Sequence, residues 1–179
     1  DDHLRPKNPQ LRAQRAMLYW ILRSKKGSEQ FFKWLGDNKD LNVVDVEFIM
    51  LGGKTTEGKL GFLLSCNSTP PYNITILADF EQNILQVAKQ LNNMSSKILV
   101  ETYVNFERNT WYTLTLTISS DYVIARTNDE TGHVLAGIGI KTDDKTAYKL
   151  GVYLTCKTNT AIAFKILNTK TFDKKSQVS

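Results

Sequence analysis

Four carboxylates and a set of aromatic rings are the residues of this 179-residue chain whose types and spacing could do chemistry. Asp45 and Glu47 are one residue apart in an apolar run, so on a strand they point to the same face. Two carboxylates about 5–9 Å apart on one face can hydrolyse a glycosidic bond, retaining at the short separation and inverting at the long one. Asp79 and Glu101, on further predicted strands, complete that candidate catalytic set. The plainer reading of Asp45 and Glu47 is the solvated side of a half-buried strand. Trp111, Tyr103 and Tyr153 are the second group. Each is out of phase with the apolar face of its own strand, and a ring outside a sheet stacks on a sugar or a base, or else is buried under the second layer or the N-terminal segment. With Arg126 and His133 they make the candidate ligand-binding set.

Other chemistries have less support. His133 follows the turn Thr131-Gly132 and has no nameable nucleophile or acid partner. His3 lies in the N-terminal segment. No phosphate-cradling glycine motif occurs. Cys66 and Cys156 each end an apolar run. A disulfide between them, closing a long loop, and two buried free thiols are both open readings. Two cysteines without clustered histidines cannot form a tetrahedral zinc site, so no metal site is expected from them. Calcium is a candidate cofactor only through Asp143-Asp144 and Asp79, since it needs several converging oxygens. The sequons at Asn67, Asn73 and Asn93 are about what chance supplies in so Asn-, Ser- and Thr-rich a chain.

The net charge of +5 is unevenly placed. Residues 1–26 hold Arg5, Lys7, Arg12, Arg15, Arg23, Lys25 and Lys26 against Asp1 and Asp2, and the remaining chain is balanced. Such a basic segment is a candidate for binding polyanions such as heparin or nucleic acid, or else a solvated lead-in. No run of about 18 apolar residues is present. The polar start Asp1-Asp2-His3 shows no signal peptide, and a cleaved one would leave such a start.

The elements that position these residues are strands. Tyr112, Leu114, Leu116 and Ile118 alternate with Thr113, Thr115 and Thr117, the period-2 mark of a half-buried strand. Ser119-Ser120-Asp121 turns the chain into Tyr122–Ala125, a hairpin partner. Val44–Met50, Leu60–Leu64, Tyr72–Ala78, Ile84–Lys89, Lys97–Val104, Tyr148–Leu154 and Ile162–Ile166 repeat the pattern, the last of them closing the sheet. Residues 16–22 form an apolar run predicted as a strand, with a helix over 10–22 as the alternative. Phe31, Phe32, Trp34 and Leu35 form an apolar knot ended by the turn cluster Gly36-Asp37-Asn38. About ten short strands spaced by turns predict an all-β, two-sheet antiparallel sandwich. The expectation is one domain over 1–179, with a basic arm at 1–15 and a polar tail at 170–179.

This strand order resembles the concanavalin A-like jelly-roll superfamily. The resemblance rests on Tyr72–Ala88, on Val100-Glu-Thr-Tyr-Val-Asn-Phe106, on Asn109–Ala125 and on Ala163-Phe-Lys-Ile-Leu167. Laminin G-like modules and the 3-keto-disaccharide hydrolase type of domain are the relatives it points to, and it covers about residues 42–172. It implies a curved sandwich whose concave face or rim loops bind glycans. The Glu-x-Asp-x-x-Glu strand of laminarinase-type glycosidases is missing, since Asp45-Val-Glu47 supplies two acids only. The expected function is therefore a non-catalytic glycan-binding or adhesion module, an accessory domain of a polysaccharide-degrading system. A glycoside hydrolase using the four carboxylates is the alternative, and polyanion binding by the N-terminal segment is a further one. A secreted, periplasmic or cell-surface location goes with a glycan partner.

Overall fold

The computed structural model describes residues 19–39, 42–52, 57–91, 94–142 and 148–169. These segments form twelve strands. They are β1 (Trp20–Ser24), β2 (Glu29–Asp37), β3 (Val43–Leu51), β4 (Gly58–Cys66), β5 (Tyr72–Asp79) and β6 (Ile84–Leu91). Then come β7 (Lys97–Tyr103), β8 (Trp111–Ile118), β9 (Tyr122–Asp129), β10 (Val134–Lys141), β11 (Lys149–Cys156) and β12 (Thr160–Thr169). They build two six-stranded antiparallel sheets, β1-β12-β3-β8-β9-β10 and β2-β11-β4-β5-β6-β7. The fold is the all-β two-sheet sandwich that the alternation predicts.

The alternation dictates the layering. Val44, Val46 and Phe48 of β3 and Leu114, Leu116 and Ile118 of β8 face inward from the first sheet. Leu60, Phe62 and Leu64 of β4 and Leu150, Val152 and Leu154 of β11 meet them from the second. Each such aliphatic or aromatic side chain contributes about 1.5–3 kcal/mol by leaving water. Phe48 stacks on Phe80 and Tyr112, with ring centroids 5.3 and 5.6 Å apart, which plugs one end of the core. At one margin β10 lies against β6 and β7. At the other, β1 approaches β2 and β11.

Several sequence expectations need correction. Within the described residues the first apolar run is a strand, Trp20–Ser24, which extends two residues past the expected end at 22, with no helical part. Residues 1–18 lie outside the described residues, and with them the alternative helix and most of the basic arm. Phe31–Leu35 is no knot before a turn but the middle of the nine-residue β2. Its Gly36 and Asp37 still pair with Leu150 and Lys149 of β11. β12 does not close its sheet: it lies between β1 and β3. Cys66 and Cys156 are both free and buried, which settles the choice between disulfide and thiols.

Candidate functional site

The strand pairing sorts the chemistry-bearing residues onto two opposite outer faces. On the first sheet, Asp45 pairs with Thr115, and Thr115 with Arg126. Glu47 pairs likewise with Thr113, and Thr113 with Asn128. The Thr115 hydroxyl donates to Asp45 Oδ1 at 2.6 Å, and the Tyr19 hydroxyl donates to Glu47. Tyr19 also packs on Trp111, with ring centroids 4.7 Å apart. Trp111 in turn packs against Ile49, Leu51, Ala161 and Ala163, a small buried cluster separate from the main core. Tyr19, Glu47, Trp111, Thr113 and Glu130 line a hollow of only about 80 Å³ there. Trp111 is thus half-buried in a packed cluster.

The second sheet carries the more open aromatic surface. Phe32 and Trp34 of β2 point away from the core, 46% and 40% exposed, and meet edge to face with centroids 4.9 Å apart. They lie over Gly151 of β11, whose pairing partner on β2 is Trp34. A Cβ at Gly151 would sit 2.6 Å from Phe32 Cζ and 3.2 Å from Trp34 Cε3. Only a residue without a side chain lets the two rings settle onto the strand. Beside them the half-buried Tyr153 lies over Gly61, where a Cβ would be 2.3 Å from the backbone carbonyl oxygen of Ile76 and 2.9 Å from the Tyr153 hydroxyl. Phe32, Tyr153, Gly61, Leu77, Gln86 and Glu101 form one row across the sheet. The neighbouring row runs Trp34, Gly151, Leu63, Thr75 and Ala88. Polar Ser65 and Asn73 follow in the row of Lys149. The Lys149 ammonium stands 4.3 Å from the Trp34 ring centroid, a cation–π contact.

Electrostatics along this face come from the strand ends. Burial, and after it the charge of Asp79, push the Tyr153 phenol above its ordinary range, so it stays a neutral hydroxyl. Asp79 is itself committed. Its Oδ1 accepts the backbone N–H groups of Glu81 and Gln82 at 3.0 and 3.1 Å, and Lys59 lies 4.0 Å from its Oδ2. Glu101 accepts from the Gln86 amide at 2.9 Å.

The expected sites are therefore divided. Asp45, Glu47, Trp111 and Arg126 share the outer face of the first sheet. Asp79, Glu101, Tyr153 and the 69%-exposed Tyr103 share that of the second. His133 is exposed in the β9–β10 turn, where its backbone N–H donates to Asp129 Oδ1 at 2.9 Å. The four carboxylates do not come together, because a two-sheet core separates the pairs. Of the basic residues, Arg23 lies exposed on β1, and Lys25 and Lys26 are exposed in the turn after it. Arg5, Lys7, Arg12 and Arg15 fall outside the described residues. Among the described residues no group of three His, Cys, Asp or Glu side chains is placed to hold a metal, and Asp143-Asp144 lies outside them. Phe32 and Trp34 escape a sequence reading that looks for rings out of phase, because β2 is aromatic on both faces. The weak signal available was the charge of Lys33 between them.

No protein-family model and no curated protein matches the sequence. Solved structures do match. The exoplasmic/lumenal domain of VIP36 in its Ca2+/Man-bound form aligns over 88% of this chain and 80% of its own, with a TM-score of 0.58 at 16% identity. A legume lectin-like domain from Entamoeba histolytica aligns over 88% and 93%, with a TM-score of 0.54 at 12% identity. The fold is thus the two-sheet jelly-roll sandwich that the resemblance to the concanavalin A-like superfamily implies.

Proposed function

We propose that this chain is a non-catalytic carbohydrate-binding module whose contact surface is the ledge of Phe32, Trp34 and Tyr153. The observation that carries this reading is the exposed edge-to-face pair of Phe32 and Trp34 resting on Gly151, with the half-buried Tyr153 ring beside it. Sugars present flat C–H faces that pack on such rings, while their hydroxyls bond to polar neighbours. Lys149, Ser65, Asn73 and Thr75 supply those neighbours, and Tyr103 extends the same face at its far end. The VIP36 domain is seen in a Ca2+/Man-bound form, which supports a sugar ligand for a chain of this fold. An adhesion or accessory role beside polysaccharide-degrading enzymes, outside the cytoplasm, follows from this reading.

Affinity electrophoresis against a panel of neutral polysaccharides, backed by a glycan array, tests the reading. Retention is expected, and Trp34→Ala should weaken it about tenfold, the worth of one stacked ring. A folded sample retained by no glycan, or a Trp34→Ala variant retained as well as the parent, overturns it.

A further inference from the structure

One end of the first sheet's outer face is apolar and closed to water. In β3 the side chains of Phe48 and Met50 belong to the main core, so those of Ile49 and Leu51 point outward. Cross-strand pairing sets Ile21, Ala163, Ile49 and Trp111 in one row of that face, and Arg23, Ala161 and Leu51 in the next. Ile49 is nonetheless 0% exposed, and Leu51, Ala161 and Ala163 are buried with it, apart from the main core. Toward the other end of the same face, water reaches Asp45, Thr115 and Arg126. An outward face of a two-layer sandwich loses its water only to something laid over it, so this cluster has a cover.

The chain itself leads to that end. Tyr19, the first described residue, packs on Trp111 with ring centroids 4.7 Å apart and donates its hydroxyl to Glu47. Residues 1–18 therefore join the domain on this face. From Trp111, Ala161 lies two strands across and two residues along, about 12 Å by strand spacing and rise. Eighteen residues exceed that reach, since even a helix of that length spans about 27 Å. The composition of the segment is suited to the place. Ala16-Met17-Leu18, directly before Tyr19, is apolar, and Arg12 and Arg15 precede it. The hollow beside Tyr19 is lined by the carboxylates Glu47 and Glu130, and Lys165 is the cross-strand neighbour of Glu47.

We propose that the segment 1–18 of this chain is the cover, docked on Ile49, Leu51, Ala161, Ala163 and Trp111 with its apolar residues inward and its arginines toward Glu47 and Glu130. This end of the first sheet is then taken by the protein's own chain. Glu47 and Trp111 are closed to an outside ligand, which leaves the opposite sheet as the face on offer. The basic segment is accordingly a docked part of the domain rather than a free polyanion-binding arm.

A nitroxide label on the full chain tests this. Cys66 and Cys156 are buried, so a thiol-reactive nitroxide attaches selectively through Gln14→Cys. The amide signals of Ile49, Ala161 and Ala163 should lose most of their intensity, while those of Gly61 and Gly151 on the other sheet keep most of theirs. A mixture of labelled protein with unlabelled, isotopically enriched protein should show no such loss. Deleting residues 1–18 should lower the melting temperature by about 5 °C or more, because Ile49 and Leu51 return to water. If the shortened chain does not fold, the label on the full chain decides alone. Three results overturn the proposal: undiminished Ile49 and Ala163 signals, equal loss on both sheets, or loss in the mixture, which would make a second copy the cover. A shortened chain that folds and melts with the parent would overturn it as well. None of these readouts involves a glycan, so failure of the ledge leaves them unchanged.

Discussion

Gly151→Ala is the sharpest perturbation of the ledge. The added methyl would lie 2.6 and 3.0 Å from Cζ and Cε2 of Phe32 and 3.2 Å from Trp34 Cε3, all side-chain atoms. The backbone at Gly151 is not in the left-handed region, so alanine meets no conformational penalty there. Two terms then compete. Overpacking of this kind costs about 1–3 kcal/mol, and the partial exposure of Phe32 places it toward the low end. Loss of glycine freedom in the unfolded chain returns about 0.4–1 kcal/mol. The net expectation is a destabilisation of about 1 kcal/mol, or about 2–4 °C in melting temperature for a domain of this size. In a Phe32→Ala background only the 3.2 Å contact remains, and the same alanine should be neutral or stabilising. The difference is a coupling of about 1–2 kcal/mol, read by urea unfolding of the four members of a double-mutant cycle. An effect of Gly151→Ala that is equal in the two backgrounds would refute the claim that Phe32 rests on this glycine.

Two other outcomes follow from groups away from the ledge. Both thiols are buried, and burial raises that of Cys156, so a thiol reagent should leave native protein unmodified and react at both positions only in denaturant. Rapid reaction of native protein would contradict the burial. At the β9–β10 turn, Asp129 accepts from the Thr131 hydroxyl at 2.7 Å and from the backbone N–H groups of Thr131 and His133. These bonds, led by the Thr131 hydroxyl, hold its folded-state carboxyl below the ordinary value. Its stabilising contribution is therefore complete above the unfolded carboxylate value near about 4 and is lost as pH falls through the lower folded value. The melting-temperature gap between parent and Asp129→Ala should hold from about pH 7 to 5 and shrink below about pH 4; an unchanged gap at low pH would refute the role of the charged form.

How much of this was legible in the sequence depended on whether one face of a strand was polar. β8 and β9 declare themselves because threonines alternate with Tyr112, Leu114, Leu116 and Ile118, and only one face is buried. β2 does not, because Phe31 and Leu35 pack on the core while Phe32 and Trp34 stand outside, which erases the alternation. The interior place of β12 was hidden for another reason. Its neighbours β1 and β3 come from the first third of the chain, and pairing at that range leaves no local mark. Tyr153 was legible as a ring out of phase with Leu150, Val152 and Leu154. The ledge was not, since Phe32 and Tyr153 meet only through the β2–β11 pairing. Trp111 was equally out of phase, yet the packing of Tyr19 and of a second apolar cluster half-buries it.

The glycine beneath Phe32 and Trp34 bears on whether the ledge serves binding or stability. A glycine inside a strand weakens it by about 0.5–1 kcal/mol relative to alanine, and the fold bears that under the two rings at Gly151, whereas Gly61 is required by the Ile76 carbonyl oxygen 2.3 Å from where a Cβ would sit. Edge strands protect themselves with lysines, and Lys33 with Lys149 would serve β2 in that way. Protection does not account for rings lowered onto glycine, because exposed aromatics on an edge strand invite the very association that lysines oppose. Exposed rings set on a strand glycine at a cost in stability are what the proposed contact surface requires, so the Phe32–Trp34 pair over Gly151 supports a ligand reading of this face better than a purely structural one.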